Sequence, residues 1–86
     1  MIYTLTLTLA HRPEVLERVL RVVRHRGFKV TKMNMQLEDG KTASLDMALE
    51  SERAIELLTT QLEKLIDVIE CRVVSLESVN AEKVAS

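Results

Sequence analysis

The side chains that could perform chemistry in this chain are few and widely separated. The sequence holds one cysteine, Cys71, and two histidines, His11 and His25. The histidines have no cysteine nearby, and no pair of these residues has the spacing of a zinc site. We therefore interpret both histidines as surface residues, and Cys71, which lies within an apolar stretch, as a small core residue.

The acidic and glycine residues also give no clear catalytic pattern. Asp46 and Glu50 share one parity of a predicted strand, as paired carboxylates would, but we favour the interpretation that they lie on a solvent-exposed strand face. Phosphate-binding loops are rich in glycine, whereas this sequence has only Gly27 and Gly40. The sequence therefore predicts that the chain is not an enzyme on its own.

Basic residues are concentrated in one segment. Residues 11–32 contain seven of them and two acids, a net charge of +5, whereas the remainder carries −6 and the whole chain −1. RNA-binding domains of similar element order stack bases on exposed aromatics, but Tyr3 and Phe28 both have core parity here. We favour a solvated helix face that meets an acidic protein surface. Its arginines recur at spacings of three: Arg18, Arg21 and Arg24.

Hydrophobic periodicity predicts the first half of the fold. Leucine and threonine alternate over Ile2–Ala10, which predicts a half-buried strand. Apolar residues at helical spacing predict a helix over roughly Pro13–Arg26, ended by Gly27. The backbone N–H groups of the loop before this helix form a natural site for a carboxylate or phosphate.

The strand after Gly27 changes parity between Val30 and Met33. We expect a β-bulge near Thr31–Lys32 that brings both apolar sets to the core, and a position at the sheet edge, where bulges are common. An Asp-Gly pair at Asp39 predicts a hairpin turn. Thr42–Glu50 alternates again and predicts the next strand.

The second half repeats the same order. Ser51 is a candidate N-cap for a helix over roughly Glu52–Ile66. Val68–Leu76 predicts a fourth strand, with Ile69, Cys71 and Val73 on one parity. The fold class is therefore α+β, with βαββαβ order, a four-stranded antiparallel ferredoxin-like sheet and both helices on one face. We expect this domain to occupy residues 1–77 and residues 78–86 to be a flexible tail.

Size and composition indicate the expected oligomeric state and cellular compartment of the chain. A domain of 86 residues buries a marginal core, so association with a second chain would stabilise it. An exposed sheet face and edge favour a homodimer. A lone cysteine and the absence of a signal-peptide pattern favour the cytoplasm, and no apolar run is long enough for a membrane helix.

Two stretches carry a family resemblance: LERVLRVVRHRGFKVTKMNM and QLEKLIDVIECRVV. They resemble the small regulatory subunits of acetolactate synthase (acetohydroxyacid synthase), most closely the short isozyme II type with a single ACT domain. The similarity covers roughly residues 5–76. The ACT domain has βαββαβ order, which agrees with the order read from periodicity.

The resemblance implies a role without catalysis. The expected partner is the large catalytic subunit, which uses thiamine diphosphate, magnesium and FAD to condense pyruvate with a second 2-ketoacid. This is the first common step towards valine, leucine and isoleucine. The small subunit, with no cofactor or metal of its own, would bind and activate the large one and can confer feedback inhibition by valine. Apart from the resemblance, the net charge of −1 and the core parity of Tyr3 and Phe28 argue against a nucleic-acid partner, and the short apolar runs argue against a membrane partner.

The resemblance also implies where an effector amino acid would bind. ACT domains of this kind pair through edge strands, and the effector lies between the loop after the first strand and the neighbour's second strand. The equivalent positions here are His11, Arg12, Pro13, Glu14 and Val15, together with Lys29, Met33, Asn34 and Met35. Our candidate contacts with the large subunit are the arginine face (Arg18, Arg21 and Arg24) and the loop His11–Glu14.

The loop departs from valine-sensitive relatives, which carry an Asn-Glu-Ser-Gly-type sequence. The asparagine position is His11, the glycine position is Glu14, and a second asparagine is replaced by Lys29. Pro13 removes a backbone donor, and Glu14 adds a side chain and a negative charge. We therefore predict weak or absent valine binding.

Two alternative functions follow from the same topology. A stand-alone ACT module would bind an amino acid without any synthase. An acylphosphatase-like enzyme would need a glycine-rich loop carrying an arginine before the first helix; Arg12 is present, but the glycines are not.

Overall fold

The computed structural model describes residues 1–77, in βαββαβ order. Its elements are β1 (Ile2–Ala10), α1 (Val15–His25), β2 (Lys29–Leu37), β3 (Thr42–Glu50), α2 (Glu56–Leu62) and β4 (Val68–Glu77). The sheet has the order β2-β3-β1-β4, and every neighbouring pair is antiparallel. This architecture confirms the predicted fold class. The predicted tail, 78–86, lies outside the described residues.

The core lies between one face of the sheet and the two helices. The central strands β1 and β3 bury every second residue, as their sequence alternation predicts. Their buried side chains pack with those of both helices in one aliphatic cluster that also includes Tyr3 and Phe28. The rings of Tyr3 and Phe28 lie 6.0 Å apart, centroid to centroid. Both aromatic side chains are therefore inside the core rather than on the open sheet face.

The expected bulge in β2 is present at the sheet edge. The register of β2 against β3 shifts between Val30 and Lys32, which places Met33 and Met35 on the same face as Val30. The prediction that this brings them all into the core is wrong, because Met33 and Met35 remain 43% and 37% exposed. Only the beginning of β2 is covered by α1, so the rest of this strand presents its apolar side chains to solvent.

The second helix is shorter than the sequence predicts, and Ser51 is not its N-cap. The α2 helix begins at Glu56 and has no side-chain cap. The Ser51 hydroxyl instead donates to the Gly27 carbonyl at 2.9 Å and accepts the Arg53 N–H at 3.0 Å. Ser51 therefore connects the turn after α1 to the loop before α2, and α2 begins only after this loop. The α1 helix is also shorter than predicted and starts at Val15 rather than Pro13.

The β4 strand contains two register shifts against β1. One lies at Ile69, so Val68 rather than Ile69 pairs with the buried Leu9. The prediction that Ile69 shares the core face of Cys71 is therefore wrong, and its side chain is 58% exposed. Cys71 itself packs against the core as predicted.

Candidate functional site

The loop between β1 and α1, residues 11–14, is the first half of the predicted effector site. The His11 N–H donates to the Lys41 carbonyl at 2.8 Å, and the Ala10 N–H just before it donates to the Asp67 carbonyl at 2.9 Å. Pro13 has no N–H to offer. Of the backbone donors that could have held a carboxylate before α1, the His11 N–H is therefore used within the fold, and the one at Pro13 is missing.

The buried carboxylate of Asp67 also holds this loop, through arginines of the loop and of α1. Asp67, in the turn between α2 and β4, has a side chain only 8% exposed; its carboxylate accepts a hydrogen bond from the Arg18 guanidinium at 2.6 Å. The Arg12 guanidinium lies 3.6 Å from the other carboxylate oxygen, and Glu14 lies 3.8 Å from Arg18. We call Arg12, Arg18 and Asp67 the loop clamp. Sequence reasoning missed it, because Arg18 and Asp67 are 49 residues apart.

The second half of the predicted effector site lies elsewhere in the single chain. Lys29 pairs with Glu50 and so lies at one end of the sheet, whereas Leu37, at the other end of β2, pairs with Ala43. The β1–α1 loop is at the Leu37 end, because β1 and β2 run in the same direction on either side of β3. Lys29 is therefore about one strand length, roughly 25 Å, from the loop. One copy of the chain does not bring the predicted site together.

The remaining effector-equivalent positions lie between these two ends. Met33, Asn34 and Met35 occupy the middle of the β2 edge strand and are all exposed, and Asn34 pairs with Asp46 on the open face of the sheet. Val15, by contrast, is buried in the core at the start of α1. The edge strand thus offers three of the predicted positions to a neighbouring molecule, while Val15 holds the helix in place.

The three arginines of the predicted contact face have different surroundings. Arg18 belongs to the loop clamp. Arg24 lines a groove of about 420 Å³ between α1 and β2, together with Leu20, Val30 and Met33. Arg21 lines a separate groove of about 390 Å³ between α1 and α2. The predicted single arginine face is thus divided between an internal ion pair and two grooves on opposite sides of α1.

The other candidates for chemistry stay apart in the structure. Asp46 and Glu50 share the open sheet face, but four residues of strand separate them by roughly 13 Å, and Asp46 accepts a hydrogen bond from Thr6 at 2.8 Å. Burial raises the pKa of the Cys71 thiol to about 11, and the charge of Glu63 adds to the rise. A thiol of this kind is protonated and unreactive at neutral pH.

The part of the chain that the structure describes contains no group of three or more side chains placed to hold a metal ion. Within the same residues, the helices are too short or too polar to cross a bilayer.

The class of this protein follows from its fold together with a match to a family model. The family model described as "ACT domain" matches residues 11–71, and the chain belongs to the ACT domain family. The acetolactate synthase isozyme 2 small subunit of Escherichia coli K12 is 53% identical to it over 57 residues, which are 65% of this chain and 66% of that protein. The small subunit of Shigella flexneri gives the same values. The resemblance read from the sequence is confirmed.

Solved structures agree on the fold. The acetolactate synthase small subunit of Thermotoga maritima matches 85% of this chain and 47% of that one with a TM-score of 0.74 and 19% identity. The ACT domain of a Chlorobium tepidum GTP pyrophosphokinase matches 86% of this chain and 97% of that one with a TM-score of 0.68 and 9% identity. At these identities the structures establish a shared architecture and nothing about shared ligands.

Proposed function

We propose that this chain is a non-catalytic regulatory subunit that binds and activates the large catalytic subunit of an acetolactate synthase. The observation that carries this proposal is the 53% identity to an acetolactate synthase isozyme 2 small subunit. In this proposal the large subunit holds thiamine diphosphate, magnesium and FAD and performs the condensation that begins the synthesis of valine, leucine and isoleucine. This chain contributes binding energy rather than a reacting group.

Activation would follow from preferential binding. A subunit that binds the active arrangement of its partner more tightly than the inactive one raises the population of the active arrangement. A rigid binding surface serves this purpose well, because a surface that deforms would fit both arrangements similarly. Here α1 is fixed at one end by the loop clamp and at the other by the bond between Ser51 and Gly27.

We also propose a homodimer through β2. This edge strand has unpaired backbone groups and exposed apolar side chains at Met33, Met35 and Leu37, a combination that favours pairing with a second strand. If two copies pair antiparallel, the Lys29 end of one strand lies beside the Leu37 end of the other. The two separated halves of the effector-equivalent site would then come from different copies.

Valine feedback through this site would be weak or absent. The His11 N–H is already bonded within the fold, Pro13 supplies no donor and Glu14 adds negative charge where a valine carboxylate would enter. Lys29, at the proposed interface, stands where valine-sensitive relatives carry an asparagine. We expect millimolar valine to give no heat of binding in calorimetry, and micromolar binding would contradict this part of the proposal.

The decisive test of the main proposal is reconstitution. The chain is co-purified with an isozyme II-type large subunit, and acetolactate formation is measured with and without it. Co-elution and a rise in activity are expected. A folded chain that neither co-elutes nor changes the activity would refute the proposal.

The proposed dimer is tested separately by light scattering. Met35→Lys places a charge in the edge that we propose to be paired, so the dimer mass should fall to that of a monomer. Ile69→Lys is the matched control, because it makes the same change at an exposed apolar residue of the other edge strand, β4. Equal masses for the two variants would refute pairing through β2.

A further inference from the structure

A second surface of the molecule has the composition of a protein docking site. We define the α1–α2 groove by Arg21, Val22, His25 and Arg26 on the α1 side and Lys64 and Leu65 on the α2 side. Its volume is about 390 Å³. Val22 and Leu65 are half-buried, whereas the four basic residues are exposed. The groove therefore has an apolar floor and a rim of basic side chains.

The charge of this groove is one-sided. Among the described residues that line it, three are permanently cationic, one is a histidine and none is acidic. The whole chain has a net charge of −1, so this is a local excess and not a general property of the surface. The ion pairs that the structure shows for Arg12 and Arg18 lie at the other end of α1. The basic rim of the groove thus remains open to a partner of opposite charge.

We propose that the α1–α2 groove receives an acidic segment of the catalytic subunit, with an apolar side chain on Val22 and Leu65 and carboxylates on Arg21, Arg26 and Lys64. This inference rests on the proposed function and specifies where that association takes place. An apolar centre with a charged rim is the arrangement that gives a protein interface both affinity and orientation. Arg21 was one of three arginines expected to make this contact; the structure adds Arg26 and Lys64 and redirects Arg18 to the loop clamp.

The position of the groove allows both proposed contacts at once. The β2 edge and the adjoining α1–β2 groove, where Arg24 and Met33 lie, are on one side of α1. The α1–α2 groove is on its other side. A small-subunit dimer formed through β2 would therefore leave both α1–α2 grooves accessible, one for each catalytic chain.

Charge reversal in the full-length chain tests the inference. Arg21→Glu/Lys64→Glu reverses two charges of the groove, and Lys41→Glu/Arg72→Glu reverses two exposed charges on the sheet and its hairpin. Both double variants change the net charge by the same amount, so long-range electrostatic effects are matched. Affinity for the purified large subunit is measured by calorimetry at low and high salt, together with activation of acetolactate formation.

The groove variant should bind at least about tenfold more weakly than wild type, and its residual binding should depend less on salt. The sheet variant should bind like wild type. Equal affinities of the two variants would overturn the inference while leaving the proposed function intact. Absence of wild-type binding would overturn the proposed function and this inference with it.

Two further measurements complete the test. Light scattering of the groove variant alone shows whether its self-association changes; a change would identify a second copy as the occupant and overturn the assignment to the catalytic subunit. Thermal unfolding verifies the fold of each variant. If the double reversal does not fold, Arg21→Gln/Lys64→Gln is used in its place, and wild-type affinity in that variant would likewise contradict the inference.

Discussion

Replacement of Asp67 by asparagine removes one negative charge from the loop clamp and leaves the size of the side chain almost unchanged. The carboxylate is nearly buried and accepts a hydrogen bond from Arg18 at 2.6 Å, and the Arg12 guanidinium lies 3.6 Å away. The two arginines belong to the β1–α1 loop and to α1, whereas Asp67 precedes β4. The variant therefore weakens the attachment of the predicted effector loop to the rest of the domain.

The size of the effect follows from these contacts. A hydrogen bond between charged groups contributes about 1.5–3 kcal/mol, but the Arg18 side chain is 39% exposed, so water replaces part of what is lost. Arg12 is 66% exposed and adds at most about 1 kcal/mol. We expect the free energy of unfolding to fall by about 1–2 kcal/mol. In a domain of this size that lowers the melting temperature by roughly 5–15 °C.

The assay is urea unfolding followed by circular dichroism, at low and high salt. Glu70→Gln is the control, because it neutralises an exposed carboxylate in the adjoining strand and should change stability by less than about 0.5 kcal/mol. Hydrogen exchange of the Ala10 and His11 amides reports on the loop and should become faster in Asp67→Asn. A variant as stable as wild type, with unchanged exchange, would show that the carboxylate does not hold the loop.

Two further predictions concern backbone conformation and thiol reactivity. Gly27→Ala and Gly40→Ala should each lower the free energy of unfolding by about 1–2 kcal/mol, because the two glycines have φ of +87° and +83°. An added Cβ at Gly27 would also lie 2.8 Å from Arg53 Nε, but that atom belongs to an exposed side chain that can move aside, so the two losses should be similar. A markedly larger loss for Gly27→Ala, measured by urea unfolding, would contradict this and show that the Arg53 side chain is held in place. Cys71, whose pKa is raised to about 11, should react with iodoacetamide at pH 8 about 100-fold more slowly than in the unfolded chain. Equally fast alkylation of the folded and unfolded chains would contradict the burial of the thiol. Because the folded state binds the thiol proton more strongly than the unfolded state, the stability that Cys71 contributes is lost as the pH rises from about 9 towards 11.

The sequence predicts best where one physical pattern repeats. The bounds of Ile2–Ala10 and Thr42–Glu50 agree with the structure residue by residue, because each strand has one buried face and a period of two. The bulge in β2 could also be predicted, since Val30 and Met33 cannot otherwise share a face. The exposure of Met33 could not, because it depends on how far the helix layer reaches across the sheet.

The errors at Ser51 and Ile69 arise from contacts with residues that are distant in the sequence. Ser51 has the residue type of an N-cap, but its hydroxyl is used by Gly27 and Arg53 in a contact between two loops. The register shift at Ile69 depends on pairing with β1, more than fifty residues away in the chain. Neither the Ser51–Gly27 hydrogen bond nor the pairing of β4 with β1 can be recognised from the residues next to Ser51 or Ile69 in the sequence.

The candidate site was predicted less completely than the fold. The structure places its positions on the β1–α1 loop, at the start of α1 and on the β2 edge strand, but their separation within one chain follows only from the strand directions. Arg18 is directed away from the groove that Arg21 lines because it pairs with Asp67, and nothing in the sequence indicates that Asp67 lies beside α1. Residues that are distant in sequence and joined by one ion pair can be found only once the fold is known.

The strand order has a consequence for how this domain is made. Of the four described strands, β1 comes earliest in the chain and lies in the centre of the sheet, and one of its two neighbours is β4, the strand that comes latest. Until β4 has been synthesised, β1 lacks one neighbour and the leucines Leu5 and Leu7 lack part of their cover. The native sheet around β1 can therefore be completed only after β4 has been synthesised, and until then the nascent chain must keep an apolar strand from pairing wrongly.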